Sequence, residues 1–262
     1  MIEHLSVSLP HLPQQFDGLT VAAIADLHAG LPWRSAPAVR RTVELVNSHR
    51  PDVILLLGDI VHRLPHAPAY LELLSDLRAA ECIYATLGNH EHEYRWTNRW
   101  MRGRPVLEIE DWLRLYAAAG VPLLVNEARA LERDAARLWF VGIDDCHSGH
   151  GDLPAALAGV PEDECCIGFT HHPDLLDHPL TPRLDLLLAG HTHGGQMRLP
   201  LLGVRHVSCR HPEERAAGWV EHRGMLMYVT RGAGEGVPLR IRCPRQIPIF
   251  TLHRGETQAT EA

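Results

Sequence analysis

Five strand-length apolar runs in this chain each lead at once into a side chain able to ligate a metal. Val21-Ala22-Ala23-Ile24-Ala25 leads into Asp26, with His28 two residues on, and Val53-Ile54-Leu55-Leu56-Leu57 leads into Gly58-Asp59. Ile83-Tyr84-Ala85-Thr86-Leu87 leads into Gly88-Asn89-His90-Glu91, and Cys166-Ile167-Gly168-Phe169-Thr170 into His171. The fifth, Leu184-Asp185-Leu186-Leu187-Leu188-Ala189, ends in Gly190-His191-Thr192-His193-Gly194-Gly195-Gln196. Runs this short and this apolar read as strands buried on both faces. One such run is explained as a strand stopping at a polar turn residue. Five on one rim are not, and the carboxyl ends of buried strands are where open α/β sheets place their chemistry.

The intervening sequence supplies helices. Ser35 and Pro37 are a helix start, and Val39, Val43 and Val46 recur at helical spacing until Arg50-Pro51. A second helix is expected over 67–79 on Leu71, Leu74 and Leu77, and a third carries Ile109, Trp112, Leu113 and Tyr116 before Gly120. Strand, helix, strand, helix, strand is the rhythm of a parallel sheet with crossovers. Residues 2–9 read as an edge strand closed by Pro10 and Pro13. Further strands are expected at 121–125, 128–133 and 138–143, with a hairpin around Arg223-Gly224 and a last strand at 247–252. The tail after Gly255 is expected to fray. No repeat or linker divides the chain, so residues 1–262 read as one domain.

Composition sets limits. At 45% hydrophobic and 22% charged the chain is ordinary for a globular protein. Its net charge of -7 argues against a nucleic-acid binder. None of its six cysteines forms a Cys-x-x-Cys pair. The amino terminus has no basic region followed by an apolar core, and no apolar run approaches a membrane span. The expectation is a reduced, cytoplasmic protein without a transmembrane segment, peripheral membrane contact being left open.

Asp26, His28, Asp59, Asn89, His171, His191 and His193 form a mixed oxygen and nitrogen donor set too large for one tetrahedral zinc. Two ions roughly 3.5–4 Å apart can use such a set if one carboxylate bridges them, and can clamp a phosphoryl group for in-line attack. His90, left out of coordination, then suits proton donation to a leaving alkoxide.

Asp26-x-His28, Gly58-Asp59, Gly88-Asn89-His90-Glu91, His171 and Gly190-His191-Thr192-His193 resemble, in order, the five motif blocks of the calcineurin-like metallophosphoesterase superfamily. The likeness spans about residues 19–253. It implies a four-layer α/β/β/α sandwich of two mixed β-sheets flanked by helices. It also implies one metal on Asp26, His28, Asp59 and His193, and a second on Asp59, Asn89, His171 and His191, with His90 at the leaving group. His171 is preferred to His172 because the family pattern is His-x-Pro, matching His171-His172-Pro173. Gly194-Gly195-Gln196, Arg231-Gly232-Ala233-Gly234 and Pro238-Leu239-Arg240 are similar to a bacterial branch with membrane-associated phosphodiesterases and UDP-2,3-diacylglucosamine pyrophosphatases.

The implied activity is a two-metal phosphodiesterase or pyrophosphohydrolase, with phosphomonoesterase, nuclease and non-catalytic scaffold as the alternatives. The ions would be manganese, iron or zinc, since such ligands accept all three. The partner is a small phosphorylated substrate, nucleotide- or lipid-linked. Two features depart from the pattern or extend it. Phosphoprotein phosphatases, a cousin branch, carry an Asp where this chain has His62 in Gly58-Asp59-Ile60-Val61-His62-Arg63, so His90 lacks that orienting carboxylate; Glu91, Asp144 and Asp145 are the candidates to replace it. Residues 92–105 bear Arg95, Arg99, Arg102 and Arg104 with Trp96 and Trp100. They read either as a substrate cap or as an amphipathic helix with solvated arginines. Arg63 matches a phosphate-contacting arginine of the cousin branch, against the simpler reading of a solvated loop residue.

Overall fold

The computed structural model describes residues 1–62, 67–92, 107–199, 203–204, 207 and 209–261. Arg63, Arg95, Arg99, Arg102 and nearly all of the proposed cap therefore lie outside the described residues. The strands in chain order are β1 (Ile2–Leu9), β2 (Thr20–Ile24), β3 (Val53–Leu57), β4 (Cys82–Thr86), β5 (Glu127–Arg133), β6 (Ala136–Gly142) and β7 (Cys166–Phe169). They continue with β8 (Leu186–Ala189), β9 (Arg198–Leu199), β10 (Gly203–Val204), β11 (Gly218–His222), β12 (Met225–Val229), β13 (Ile247–Arg254) and β14 (Gln258–Glu261). The helices are α1 (Ala36–Ser48), α2 (Ala67–Glu72), α3 (Asn89–His92), α4 (Ile109–Ala118), α5 (Leu153–Leu157) and α6 (Pro212–Arg215).

Two mixed six-stranded sheets result, ordered β14-β1-β13-β2-β3-β4 and β11-β12-β8-β7-β6-β5. The apolar runs explain the layering, because successive side chains of a strand face opposite ways. Val21, Ala23, Val53, Leu55 and Leu57 meet Phe140, Ile167, Phe169 and Leu188 in a core between the sheets. Their neighbours Ala22, Ile24, Ile54 and Leu56 face outward onto Val39 and Val43 of α1, Leu71 of α2, and Trp112 and Tyr116 of α4. On the second sheet, Leu187, Met227 and Val229 face Leu153, Ala156 and Leu157 of α5. A strand buried on both faces cannot alternate in polarity, which is why these runs are continuously apolar. The result is the four-layer α/β sandwich expected.

Several expectations are corrected. β1 is not an edge strand: it pairs parallel with β13 along all eight residues, Ile2 with Ile247 through Leu9 with Arg254, and antiparallel with β14. The tail is therefore an ordered edge strand, its polar residues suited to a sheet margin. The helix expected to reach 79 ends at Glu72 and tightens into a turn over Leu73–Asp76. There Asn47 of α1 donates to the Asp76 carbonyl at 2.7 Å and accepts the Arg78 N–H at 2.8 Å, taking partners another helical turn would use. The strand expected at 121–125 is a single bridge, Leu123 to Ala85. Pro122 lacks the N–H a ladder needs there.

Candidate metal centre

The first sheet delivers Asp26, His28, Asp59, Asn89 and His90 beyond the carboxyl ends of β2, β3 and β4, and the second delivers His171, His191 and His193 beyond β7 and β8. Five of these eight leave their strand through a left-handed backbone: Asp26, His28, Asp59, His191 and His193 have φ between 48 and 69°. That conformation is uncommon for residues with a Cβ and is typical of sites whose surroundings hold them in place. The two sheets approach closely at the rim. A Cβ on Gly190 would stand 2.6 Å from the Ala25 Cβ and 2.9 Å from Asp26 Oδ2, and one on Gly88 would collide with the Asp59 carboxylate and lie 2.9 Å from the His171 ring.

Among the described residues the sequence-derived donors form two groups close enough to share a cation, Asp26 with His28 and His193, and Asp59 with His171 and His191; His28 with His62 and His90 forms another. In the first, His28 Nε2 is 3.0 Å from His193 Nε2, and Asp26 Oδ1 is 3.5 Å from the same atom. In the second, His171 Nε2 is 3.2 Å from Asp59 Oδ2, 3.2 Å from Asn89 Oδ1 and 3.1 Å from His191 Nδ1. Asn89 Oδ1 and His191 Nδ1 are 2.9 Å apart. Asp59 Oδ2 reaches toward both groups, lying 3.8 Å from His28 Nε2. The sequence-derived donor set is thus brought together. His172 belongs to neither group: its Nδ1 accepts the Asp174 N–H at 3.2 Å and its ring lies 4.2 Å from that of His191.

The chemistry of these donors fits a cation. His171 spends its Nδ1 hydrogen on the Leu57 carbonyl at 2.9 Å, so its Nε2 presents a lone pair to Asp59 and Asn89 oxygens. Facing lone pairs in a buried pocket repel unless positive charge lies among them. Donors about 2.1 Å from an ion and at right angles stand roughly 3.0 Å apart, close to the separations found. Without a cation a proton takes that part: burial opposes it, but the Asp59 charge and hydrogen bond raise His171 well above its usual range. Burial likewise opposes ionisation of Asp59, yet the charges of His171, His90 and His28 hold it well below the ordinary carboxylate range. Burial depresses His28, His191 and His193, keeping their rings neutral and able to donate lone pairs.

His90 is the exposed member. Its side chain is 30% exposed and Nε2 lies 3.9 Å from Asp59 Oδ2. Its backbone N–H donates to Asp59 Oδ1 at 2.9 Å. The three acids that could orient it all make other hydrogen bonds. Glu91 accepts four backbone N–H groups, from Asp59 at 2.9, Ile60 at 2.8, Val61 at 3.1 and Gly88 at 2.8 Å. Asp144 pairs with His92 Nε2 at 2.7 Å, and Asp145 accepts from Ser148. Among the described residues the rings nearest His90 are His62 at 4.5 Å and His28 at 5.0 Å. Burial, and next the Asp59 charge, push the Glu91 carboxyl up to about 7.

Glu91 is the residue whose role the sequence reading missed. It staples the Asp59 loop to the Asn89 loop through backbone groups, which carry no side-chain signature. On the other side, a loop after β12 wraps Asp26, with the Ala233 N–H on the Ala25 carbonyl at 2.8 Å, and Arg240 holds it through the Arg231 carbonyl at 2.8 Å and the His193 carbonyl at 3.2 Å. A further group, His92, Asp144 and His150, also lies within ligand range. There the two imidazoles stack 4.1 Å apart at 13°, so one ion cannot lie in both ring planes.

The family model for calcineurin-like phosphoesterases matches residues 19–195, which takes in every strand end of this rim. The chain belongs to that family. It is 29% identical over 279 residues to a transmembrane protein with metallophosphoesterase domain from Danio rerio, a match that covers 96% of this chain and 57% of that protein. It is 29% identical over 236 residues to phosphodiesterase YaeI of Escherichia coli, covering 87% of this chain and 80% of that one. A dimetal phosphatase structure from Danio rerio shares the fold at a TM-score of 0.55 and 15% identity, over 94% of this chain and 99% of that one. The chain spans about half the length of the first curated relatives it matches, 52% and 57%. Among the described residues no helix is long and apolar enough to cross a membrane.

Proposed function

We propose that the chain is a two-metal phosphoester hydrolase acting on phosphodiester or pyrophosphate bonds of a small substrate. The observation that carries this reading is the convergence of two donor groups on Asp59 Oδ2, 3.8 Å from His28 Nε2 and 3.2 Å from His171 Nε2. Asp26, His28, Asp59 and His193 would hold one ion and Asp59, Asn89, His171 and His191 the other. A mixed nitrogen and oxygen set of this kind accepts manganese, iron or zinc. When bound, such a pair polarises a phosphoryl oxygen and makes water acidic enough to attack at neutral pH.

The chain's own residues do the rest. His90, at the mouth and hydrogen-bonded through its backbone to Asp59, donates a proton to the departing oxygen. Asp59 keeps His90 close to the reacting phosphate through the same carboxylate that joins the two donor groups. A cavity of about 350 Å³ opens here, lined by Asp59, His90, Thr192, Gln196, Met197 and Val237. That volume suits a phosphorylated small molecule. Arg63, and Arg95, Arg99 and Arg102 of the cap segment 92–105, are assigned to phosphate beyond the scissile group. The apolar Met197 and Val237 of this cavity admit a nucleotide base or a lipid chain. Six free cysteines suit a reducing, cytoplasmic setting.

The test is a substrate panel on chelator-stripped protein, with and without added Mn²⁺. Hydrolysis of bis-nitrophenyl phosphate and of pyrophosphate-linked nucleotides should appear only with metal and exceed that of nitrophenyl phosphate. Equal turnover after stripping contradicts the metal requirement, and faster monoester hydrolysis favours a phosphomonoesterase.

A further inference from the structure

His62, which looked from sequence like the loss of a carboxylate, has a defined neighbour. The parallel pairing of β2 with β3 continues past the strands themselves. His28 N–H donates to the Asp59 carbonyl, Ala29 N–H to the Ile60 carbonyl and His62 N–H to the Ala29 carbonyl, each at 2.9 Å. This register sets His28 and His62 side by side. Their Nδ1 atoms are 3.2 Å apart and their rings meet edge to face, 5.2 Å between centroids at 68°.

Two imidazole nitrogens at that distance share one hydrogen, one ring donating it and the other offering a lone pair. We infer that His62 is the acceptor, and that it is a positioning residue which fixes His28 in the tautomer able to ligate a metal. The inference rests on the two-metal reading above. A neutral imidazole carries one N–H. His28 Nε2 faces His193 Nε2 at 3.0 Å and Asp59 Oδ2 at 3.8 Å, so it must present its lone pair there if an ion is to be held. The hydrogen then sits on Nδ1. With the His28 ring buried, an N–H lacking an acceptor would be costly, and His62 Nδ1 stands at hydrogen-bond distance to receive it. This also places the hydrogen of His62 on its Nε2.

The same site solves the same problem for His171 with a backbone carbonyl, Leu57 O at 2.9 Å from Nδ1. Partners of this kind set the tautomer and ring angle of a ligating histidine, and removing one typically costs about 10–100-fold in metal affinity. His62 differs from Leu57 in one respect. Its ring also lies 4.5 Å from that of His90, so one side chain abuts both a donor and the proposed proton donor.

The experiment compares wild type with His62→Ala, His62→Asn and His62→Gln. Asparagine places its side-chain oxygen close to where Nδ1 stood, and glutamine reaches toward the Nε2 position instead. Each protein is stripped, and Mn²⁺ affinity is measured by competition with a chelator, with bound metal counted by elemental analysis. Melting of the metal-free proteins checks the fold. His62→Ala should weaken one of two ions by about 10–100-fold and leave the other within a few-fold. His62→Asn should restore most of the loss and His62→Gln should not, a comparison that stands even if the alanine variant fails to fold. Equal behaviour of Asn and Gln, or wild-type affinity in His62→Ala, overturns the inference while leaving the two-metal reading intact. Wild type binding no Mn²⁺ overturns both.

Discussion

Replacing Glu91 by glutamine removes one charge and, with it, half of the acceptors that join two loops of the site. The side chain is 1% exposed, and its two oxygens accept four backbone N–H groups between 2.8 and 3.1 Å. A glutamine oxygen can serve two of those four. Its NH₂ group, a donor, then faces the other two, which are left without partners. Each buried N–H so stranded costs about 1–3 kcal/mol, about 2–6 kcal/mol for the pair. Relief of the buried negative charge, whose burial pushes Glu91 up to about 7, offsets part of this. The net expectation is about 2–3 kcal/mol, or a fall in Tm of about 4–12 °C for a chain of this size. Thermal unfolding in excess chelator is the assay, because bound metal would mask the loss. Glu91→Asp, shorter by one methylene, should lose contact with one loop and also destabilise. A Glu91→Gln protein melting within about 2 °C of wild type would refute the stapling role.

His90→Ala should retain its metals and lose about 10²–10⁴-fold in rate on an alkyl ester, yet less on a nitrophenyl ester. Loss of metal, or equal losses on the two esters, would remove His90 from the acid role. Burial pulls His92 down, but its hydrogen bond to Asp144 and that charge raise it above 6.5. The pair therefore stabilises fully below about pH 6.5 and fades as pH rises through the folded-state value. His92→Asn should accordingly cost more Tm at pH 6 than at pH 9, and an equal cost at both would contradict the pairing. Gly88→Ala should destabilise by more than an ordinary surface change, since its Cβ would meet the Asp59 carboxylate and the His171 ring. Soluble Gly88→Ala protein with wild-type Tm and metal content would show that the loops yield there.

The donor set was legible because its signal is local. An apolar run interrupted by Asp, Asn or His reports both the buried strand and the side chain delivered at its end. The two-sheet architecture came from the family resemblance, while the runs themselves marked strands buried on both faces, whose alternate residues, such as Leu55 and Leu56, divide between the inner and outer cores. What escaped the sequence depends on distant pairing or on the main chain. Gln258–Glu261 has no apolar pattern, and becomes a strand only because β1 presents an open edge. Glu91 looked like a candidate orienter of His90, but its partners are N–H groups that every residue carries. His62 looked like a lost carboxylate, and only the continued register of Ala29 with Val61 shows which ring it abuts. Asn47 ending the α2 turn is of the same kind, a contact between helices far apart in sequence.

The central claim is that Asp59 joins two cation sites, and counting metal tests it most directly. Equilibrium dialysis of stripped protein against Mn²⁺, followed by elemental analysis, should find two ions per wild-type chain and at most one in Asp59→Ala. A wild-type chain that saturates at a single ion, or an Asp59→Ala chain that still holds two, would contradict the account.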